Sequence, residues 1–203
     1  YNTEIMKAML DFIFDYSESG RWKKPFAAHD VGTYPLANGQ TYQGDMPVEE
    51  TGNMLIMTTA IAIVDGNADY AAKHWEILTA WSNYLAEAGM DPENQLCTED
   101  FAGHLAHNAN LSAKAIMAIA GYGRLAEMLN KPEEAKKFTE MAKRMAIEWE
   151  RRADDGDHYR LAFDMPGTWS QKYNFVWDKV LGLNILPDRI MKKEVTFYLK
   201  TQN

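Results

Sequence analysis

Three long polar loops alternate with three tight turns between seven helical stretches, and this rhythm narrows the folds open to the chain. Helices joined by a few residues pack side by side and antiparallel. The alternation therefore puts the long loops at one end of the molecule and the short turns at the other. The unusual chemistry lies in the long loops, in AAHDVGTYP at 27–35, NQLCTEDFAGHLAHN at 94–108 and DDGDHYRLAFDMPGTW at 154–169. The long-loop end is the expected site and the short-turn end is joinery.

The helices follow from hydrophobic period and stop signals. Ile5, Met9, Phe12 and Ile13 recur at helical spacing over 3–19, and Gly20 ends the run. A second helix starts at Met46-Pro47, where proline is tolerated because a first-turn N–H has no helical partner. Its body MLIMTTAIAIV is apolar all round, which marks a buried helix. A third, over 68–88, sets Trp75, Leu78, Trp81 and Leu85 against a charged face. The fourth, 108–129, is apolar and rich in Ala and Gly, which lets neighbours approach closely. The fifth (133–153) is charged, the sixth (171–183) short and aromatic, and the seventh (188–198) one-sided.

Buried helices two, four and six thus alternate with amphipathic helices three, five and seven. That is an all-α chain, an α/α toroid of the six-hairpin type, present as a partial ring of about seven helices. Residues 1–203 are expected to be one such domain, itself part of a larger polypeptide, because a closed ring of six hairpins needs about twice this length. The start at Tyr1 instead of Met suits a processed chain or a fragment.

Composition removes some functions. A net charge of -8 argues against a nucleic-acid partner, which requires clustered cations. No apolar run reaches the roughly 18 residues of a transmembrane helix. Cys97 is the lone cysteine, so no intrachain disulfide forms. Twelve Met and six Trp suit an irregular helical core and a small-molecule ligand such as a sugar or an amide.

The candidate site residues are polar groups of the loops and of the helix starts they feed. Glu49 and Glu50 open the buried second helix. Helix-dipole compensation accounts for acids there on an exposed helix, but on an apolar one at least one acid must face an interior or a cavity. Glu49 shares a face with Asn53, and Glu50 lies over Met54 and Met57. His29-Asp30 serves either as a turn device or as a catalytic pair. Asp100, beside Glu99, is either a helix cap or a second carboxylate. Two carboxylates on opposite loops are the minimum kit for activating water and protonating a leaving group. Glu49, Asp100 and Asp30 are therefore the catalytic candidates, and His29, Asn53, Asn108 and Trp169 the substrate-binding ones. No cofactor is called for. His104 and His107 lack a third zinc ligand, and the acids at 154, 155, 157 and 164 do not follow a calcium-loop order. A buried inert thiol is the better reading of Cys97 than a nucleophile.

Several long blocks, PFAAHDVGTYP, MPVEETGNMLIM, QLCTEDFAGHLAHNANLSAKAIMAIAGYG and WSQKYNFVWDKVLGL, resemble the central helical domain of the glutaminase A family. The resemblance runs along nearly the whole chain. It implies a toroid akin to the six-hairpin glycosidases, a secreted, periplasmic or cell-surface location, and hydrolysis of L-glutamine to glutamate and ammonia. Fold does not fix function, and three readings stand open at this level. In an amidohydrolase, Glu49 or Asp100 is the base, His29 or Asp30 its partner, and Asn53 or Asn108 holds the carbonyl oxygen. In a glycoside hydrolase, Glu49 and Asp100 flank a sugar stacked on Trp169. The third reading is a non-catalytic carbohydrate-binding module.

Overall fold

The computed structural model describes residues 2–98 and 100–201, the side chain of Asp100 excepted. The described residues are all-helical, with α1 Thr3–Glu18, α2 Pro47–Asp65, α3 Asp69–Lys73, α4 Trp75–Ala88, α5 Ala109–Met128, α6 Pro132–Ala153, α7 Val176–Val180 and α8 Asp188–Thr201. Single 3₁₀ turns cover Asp100–Ala102 and Tyr173–Phe175. This is the partial toroid expected from the periodicity.

Two elements differ from expectation. The predicted third helix is broken at His74 into α3 and α4. His74 is fixed from outside its own helix, its ring stacking on Phe14 at 3.9 Å and its Nδ1 lying 2.9 Å from Glu18. The predicted sixth helix shrinks to a 3₁₀ turn and the five residues of α7. Side chains take over its backbone groups there. Tyr198 accepts the Lys172 N–H, and Asp178 Oδ1 accepts the Ile185 N–H at 2.9 Å. Gly182, at φ 63°, turns the chain away.

α5 is the axis of the molecule and is buried along most of its length between α2, α4 and α6. Its glycines permit this. A Cβ at Gly121 would sit 2.6 Å from Thr59 Oγ1, and one at Gly123 would sit 2.7 Å from Thr139 Oγ1. Trp81, Trp149, Tyr122 and Phe14 fill the space around it. On α1 the stripe that predicts the helix, Ile5, Met9 and Phe12, faces solvent, and Leu10 and Phe14 make the buried side. Val195 and Leu199 on α8 are exposed as well.

The long loops gather at one end, as the alternation requires. Gln95 Oε1 accepts the N–H of Val48 at 3.0 Å, and Thr51 Oγ1 accepts that of Ala27 at 3.0 Å. The first and second loops are thereby tied to the start of α2. The Ala109 N–H reaches Leu161 O, and the Phe163 N–H reaches His107 O, which ties the second loop to the third at the start of α5. No helix of the described residues is long and apolar enough to cross a membrane.

Candidate functional site

A cavity of about 490 Å³ opens between α1, the first loop and the start of α2. Its polar end is His29, Glu50 and Asn53, and Met6, Met54 and Met57 contribute to its apolar wall. A concave apolar hollow with a few convergent polar groups is the form that small-molecule sites take.

Glu50 and Asn53 are one helical turn apart on α2, and Asn53 Nδ2 donates to Glu50 Oε2 at 3.2 Å. Burial pushes the Glu50 carboxyl above its ordinary range, and the neighbouring charge of Glu49 adds to that. The Asn53 hydrogen bond and the nearby His29 and Lys114 pull the other way without cancelling it. A carboxyl whose proton affinity is raised in this way, on a cavity wall, is a candidate for proton transfer.

Glu49 points to the other side of α2, where it is 1% exposed. Lys114 Nζ of α5 lies 2.5 Å from its Oε1, and the Thr98 hydroxyl donates to the same oxygen. Lys114 Nζ also donates to Asn53 Oδ1 at 2.7 Å. Glu49, Lys114, Asn53 and Glu50 therefore form one continuous chain leading from the core to the cavity. Glu49 Oε2 finds no hydrogen-bond partner among the described residues.

Asp30 holds the first loop together. Its Oδ1 accepts the N–H groups of Gly32 and Thr41 at 2.9 and 2.8 Å, and its Oδ2 accepts that of Tyr42 at 3.0 Å. His29 Nδ1 lies 3.1 Å from Oδ2. Burial alone would raise its pKa, but the donors from Thr41, Tyr42, His29 and Gly32 outweigh that and hold the carboxyl at about 2. The His29 ring also packs on Tyr42 at 4.4 Å. Asp30 thus fixes His29 at the cavity.

The family model described as the glutaminase A six helical-hairpin domain matches residues 1–203. The chain belongs to the glutaminase A family. It is 36% identical over 204 residues to glutaminase A of Aspergillus oryzae, a match covering 97% of this chain and 30% of that protein. It is 27% identical over 245 residues to a probable glutaminase of Arthroderma benhamiae, covering 91% of this chain and 28% of that protein. The chain thus spans under a third of the length of these curated relatives.

Within this glutaminase A domain, His29 and Asn53 meet on the cavity, Glu49 is joined to it through Lys114, and Asp30 supports it. Asn108 is the N-cap of α5. Its Oδ1 accepts the Leu111 N–H at 2.9 Å and its Nδ2 lies 3.6 Å from Cys97 Sγ. Trp169 stands apart from the cavity lining and packs on Phe197 and Tyr198 of α8. The backbone of Asp100 belongs to the 3₁₀ turn, and its side chain lies outside what is described. Three acids of the third loop have partners of their own: Asp154 lies against Lys193, Asp155 against Arg160 and Asp157 against the His158 ring. Among the described residues no group of three or more His, Cys, Asp or Glu is placed to hold a metal ion.

Sequence reasoning missed Lys114. The available signal was a single lysine in the middle of LSAKAIMAIAGYG, an otherwise apolar, small-residue helix. A lysine buried there needs a carboxylate.

Proposed function

We propose that this chain forms the helical part of a glutaminase-type amidohydrolase, with Glu50 as its proton-transfer group. The observation that carries this reading is the placement of the Glu50 carboxyl, its affinity for protons raised by burial, on a cavity wall beside His29 and Asn53. The glutaminase names of the relatives supply the substrate class.

The chemistry follows from the geometry. Water attacks the carboxamide carbon, and the Glu50 carboxylate takes the proton that the water loses. The C–N bond then breaks, and the same proton goes to the departing nitrogen, which leaves as ammonia. Asn53 and His29 face the reacting group as hydrogen-bonding partners, and Asp30 steadies His29. Glu49 acts from behind through Lys114. Asp100, in the turn that follows Thr98, is kept as a second candidate carboxylate. A secreted, periplasmic or cell-surface location belongs to the same proposal, and fractionation of the source cells tests it.

The test uses the full-length polypeptide. Ammonia release from L-glutamine is measured beside a panel of glycosides, for wild type, Glu50→Gln and His29→Ala, with circular dichroism as the folding control. Loss of a general acid–base group is expected to lower kcat by on the order of 10²–10⁴-fold. Folded variants with wild-type ammonia release would remove this site from the reaction. Turnover of a glycoside but not of glutamine would replace the amide reading with glycosidic hydrolysis.

A further inference from the structure

We propose that Lys114 is a positioning residue, whose ammonium fixes the Asn53 amide so that its NH2 group, and not its carbonyl oxygen, faces Glu50. The inference rests on the reading of Glu50, Asn53 and His29 as the polar end of the substrate cavity.

An asparagine amide offers one oxygen that only accepts and one nitrogen that only donates, and either can occupy the same space. Its neighbours decide which way it turns. An ammonium has donors and no acceptor. Lys114 Nζ, 2.7 Å from the Asn53 side chain, therefore demands the oxygen on its own side. The nitrogen is left 3.2 Å from Glu50 Oε2. A turned amide would set NH2 against NH3⁺ on one side and oxygen against the carboxylate on the other.

The lysine is itself held in place. Glu49 Oε1 meets it at 2.5 Å, Lys114 is 4% exposed, and its stem runs over the bare backbone of Gly52. Glu49 neutralises the charge, so the lysine orients Asn53 without making the cavity cationic. The NH2 group carries two hydrogens. One serves Glu50, and the second is free to meet an acceptor in the cavity. The arrangement selects a ligand that brings a carbonyl oxygen to this spot, as an amide does.

The experiment uses the full-length protein. Glu49→Leu combined with Lys114→Met replaces the buried pair by apolar side chains and keeps the region neutral. This pair variant, Asn53→Ala and their combination are compared in two ways. One readout is the acid limb of the kcat/KM pH profile. The other is the ¹³C titration of the Glu50 carboxyl, assigned by its absence in Glu50→Gln, which needs no catalysis. The charged groups facing Glu50 are Glu49 on its own helix, Lys114 on α5 and His29 on the first loop. Removing Glu49 and Lys114 together takes away one charge of each sign; the loss of the Glu49 charge outweighs that of Lys114 and by itself lowers the Glu50 pKa, so an upward shift reports the turned amide.

In the pair variant Glu50 is expected to titrate at higher pH, with kcat lowered on the order of 10²-fold by the misplaced amide. Adding Asn53→Ala is expected to bring no further shift beyond that of Asn53→Ala alone. Glu49→Gln combined with Lys114→Gln keeps an N–H for Asn53 Oδ1 and removes the same two charges as the apolar pair, so Glu50 is expected to titrate lower there than in the apolar pair. The inference is overturned by a Glu50 that titrates alike in the apolar and the glutamine pairs, or by shifts that simply add. If the titrations behave as expected while Glu50→Gln hydrolyses glutamine normally, the functional reading fails and the role of Lys114 stands.

Discussion

Gly52 lies directly beneath the stem of Lys114, so close that a Cβ at position 52 would be 2.7 Å from Lys114 Cγ and 3.0 Å from Cδ. The contact explains a glycine inside a buried helix, where alanine would ordinarily be favoured by about 1 kcal/mol. Gly52→Ala must displace the lysine stem from both Glu49 and Asn53. Overpacking of this kind costs about 1–3 kcal/mol, enough to offset the gain in helix propensity. The substitution is therefore expected to destabilise the protein or leave it unchanged, and to impair the cavity in either case. Urea unfolding and ammonia release check this together. A variant stabilised by the full propensity gain would show that the lysine stem moves aside freely.

Glu50 makes a second prediction through its proton. Its folded pKa is raised above the ordinary 4.5 by burial. The folded state therefore binds this proton more tightly than the unfolded state does. The resulting stability is fully present below about pH 4.5 and is lost as the pH rises through the folded value. Glu50→Gln imitates the protonated form and can still accept the Asn53 N–H. It is expected to be more stable than wild type at pH 7.5 and to lose that advantage at pH 4. Thermal melts at the two pH values decide. An equal difference at both would mean that Glu50 is not strained by ionisation, and would weaken its case as the proton carrier.

The parts of this fold that could be read from the sequence are those set by local pattern. The apolar runs of α2 and α5 and the alternation of long and short connections placed the buried helices, the outer helices and the end where the long loops gather. The break at His74 was hidden because Phe14 and Glu18, which cause it, lie some 60 and 56 positions away in the chain. At the candidate cavity, the sequence pointed to the first turns of α2 but not to which of its two acids lines the hollow. Periodicity grouped Glu49 with Asn53, and the structure links them through Lys114, while Glu50 and Asn53 meet on the cavity. Adjacent helical residues point about 100° apart, so only the packing of α1 and α5 around α2 decides which acid reaches the hollow. Trp169 packs beside Phe197 and Tyr198 of α8, away from the cavity lining, which its place in the third loop does not reveal.

Asp91 and His107 fasten the second loop with a pH window of their own. His107 Nδ1 lies 2.7 Å from Asp91 Oδ1, and Arg152 reaches Asp91 Oδ2 at 3.1 Å. The hydrogen bond to Asp91 raises the His107 pKa above 6.5, so its contribution is lost as pH rises through the raised value. Burial opposes ionisation of Asp91, but His107 and Arg152 outweigh it and lower the pKa below 3.8, so that contribution is lost as pH falls through the lowered value. Both act fully between about pH 4 and 6.5. His107 has φ 61°, which asparagine tolerates, so His107→Asn removes the pair and keeps the backbone. The half-exposed pair is worth about 0.2–1 kcal/mol. The loss is expected at pH 5.5 and should fade by pH 9, measured by chemical denaturation. A pH-independent loss would point to packing instead of charge.

Asn108 separates a capping role from a substrate-holding one. Its Oδ1 satisfies the Leu111 N–H at the start of α5, its Nδ2 points to Cys97 Sγ, and the residue is 1% exposed. Its oxygen is thus engaged by the cap, and the residue lies outside the cavity lining. Asn108→Ala is expected to cost about 0.5–2 kcal/mol through loss of the cap, and to lower activity indirectly by loosening the helix that carries Lys114. Serine caps nearly as well as asparagine but has no amide. Asn108→Ser is therefore expected to recover most of the stability and ammonia release with an unchanged KM for glutamine. A serine variant with native stability and a KM raised severalfold would instead make Asn108 a direct contact of the substrate, reached after a rearrangement of the loop that holds Cys97.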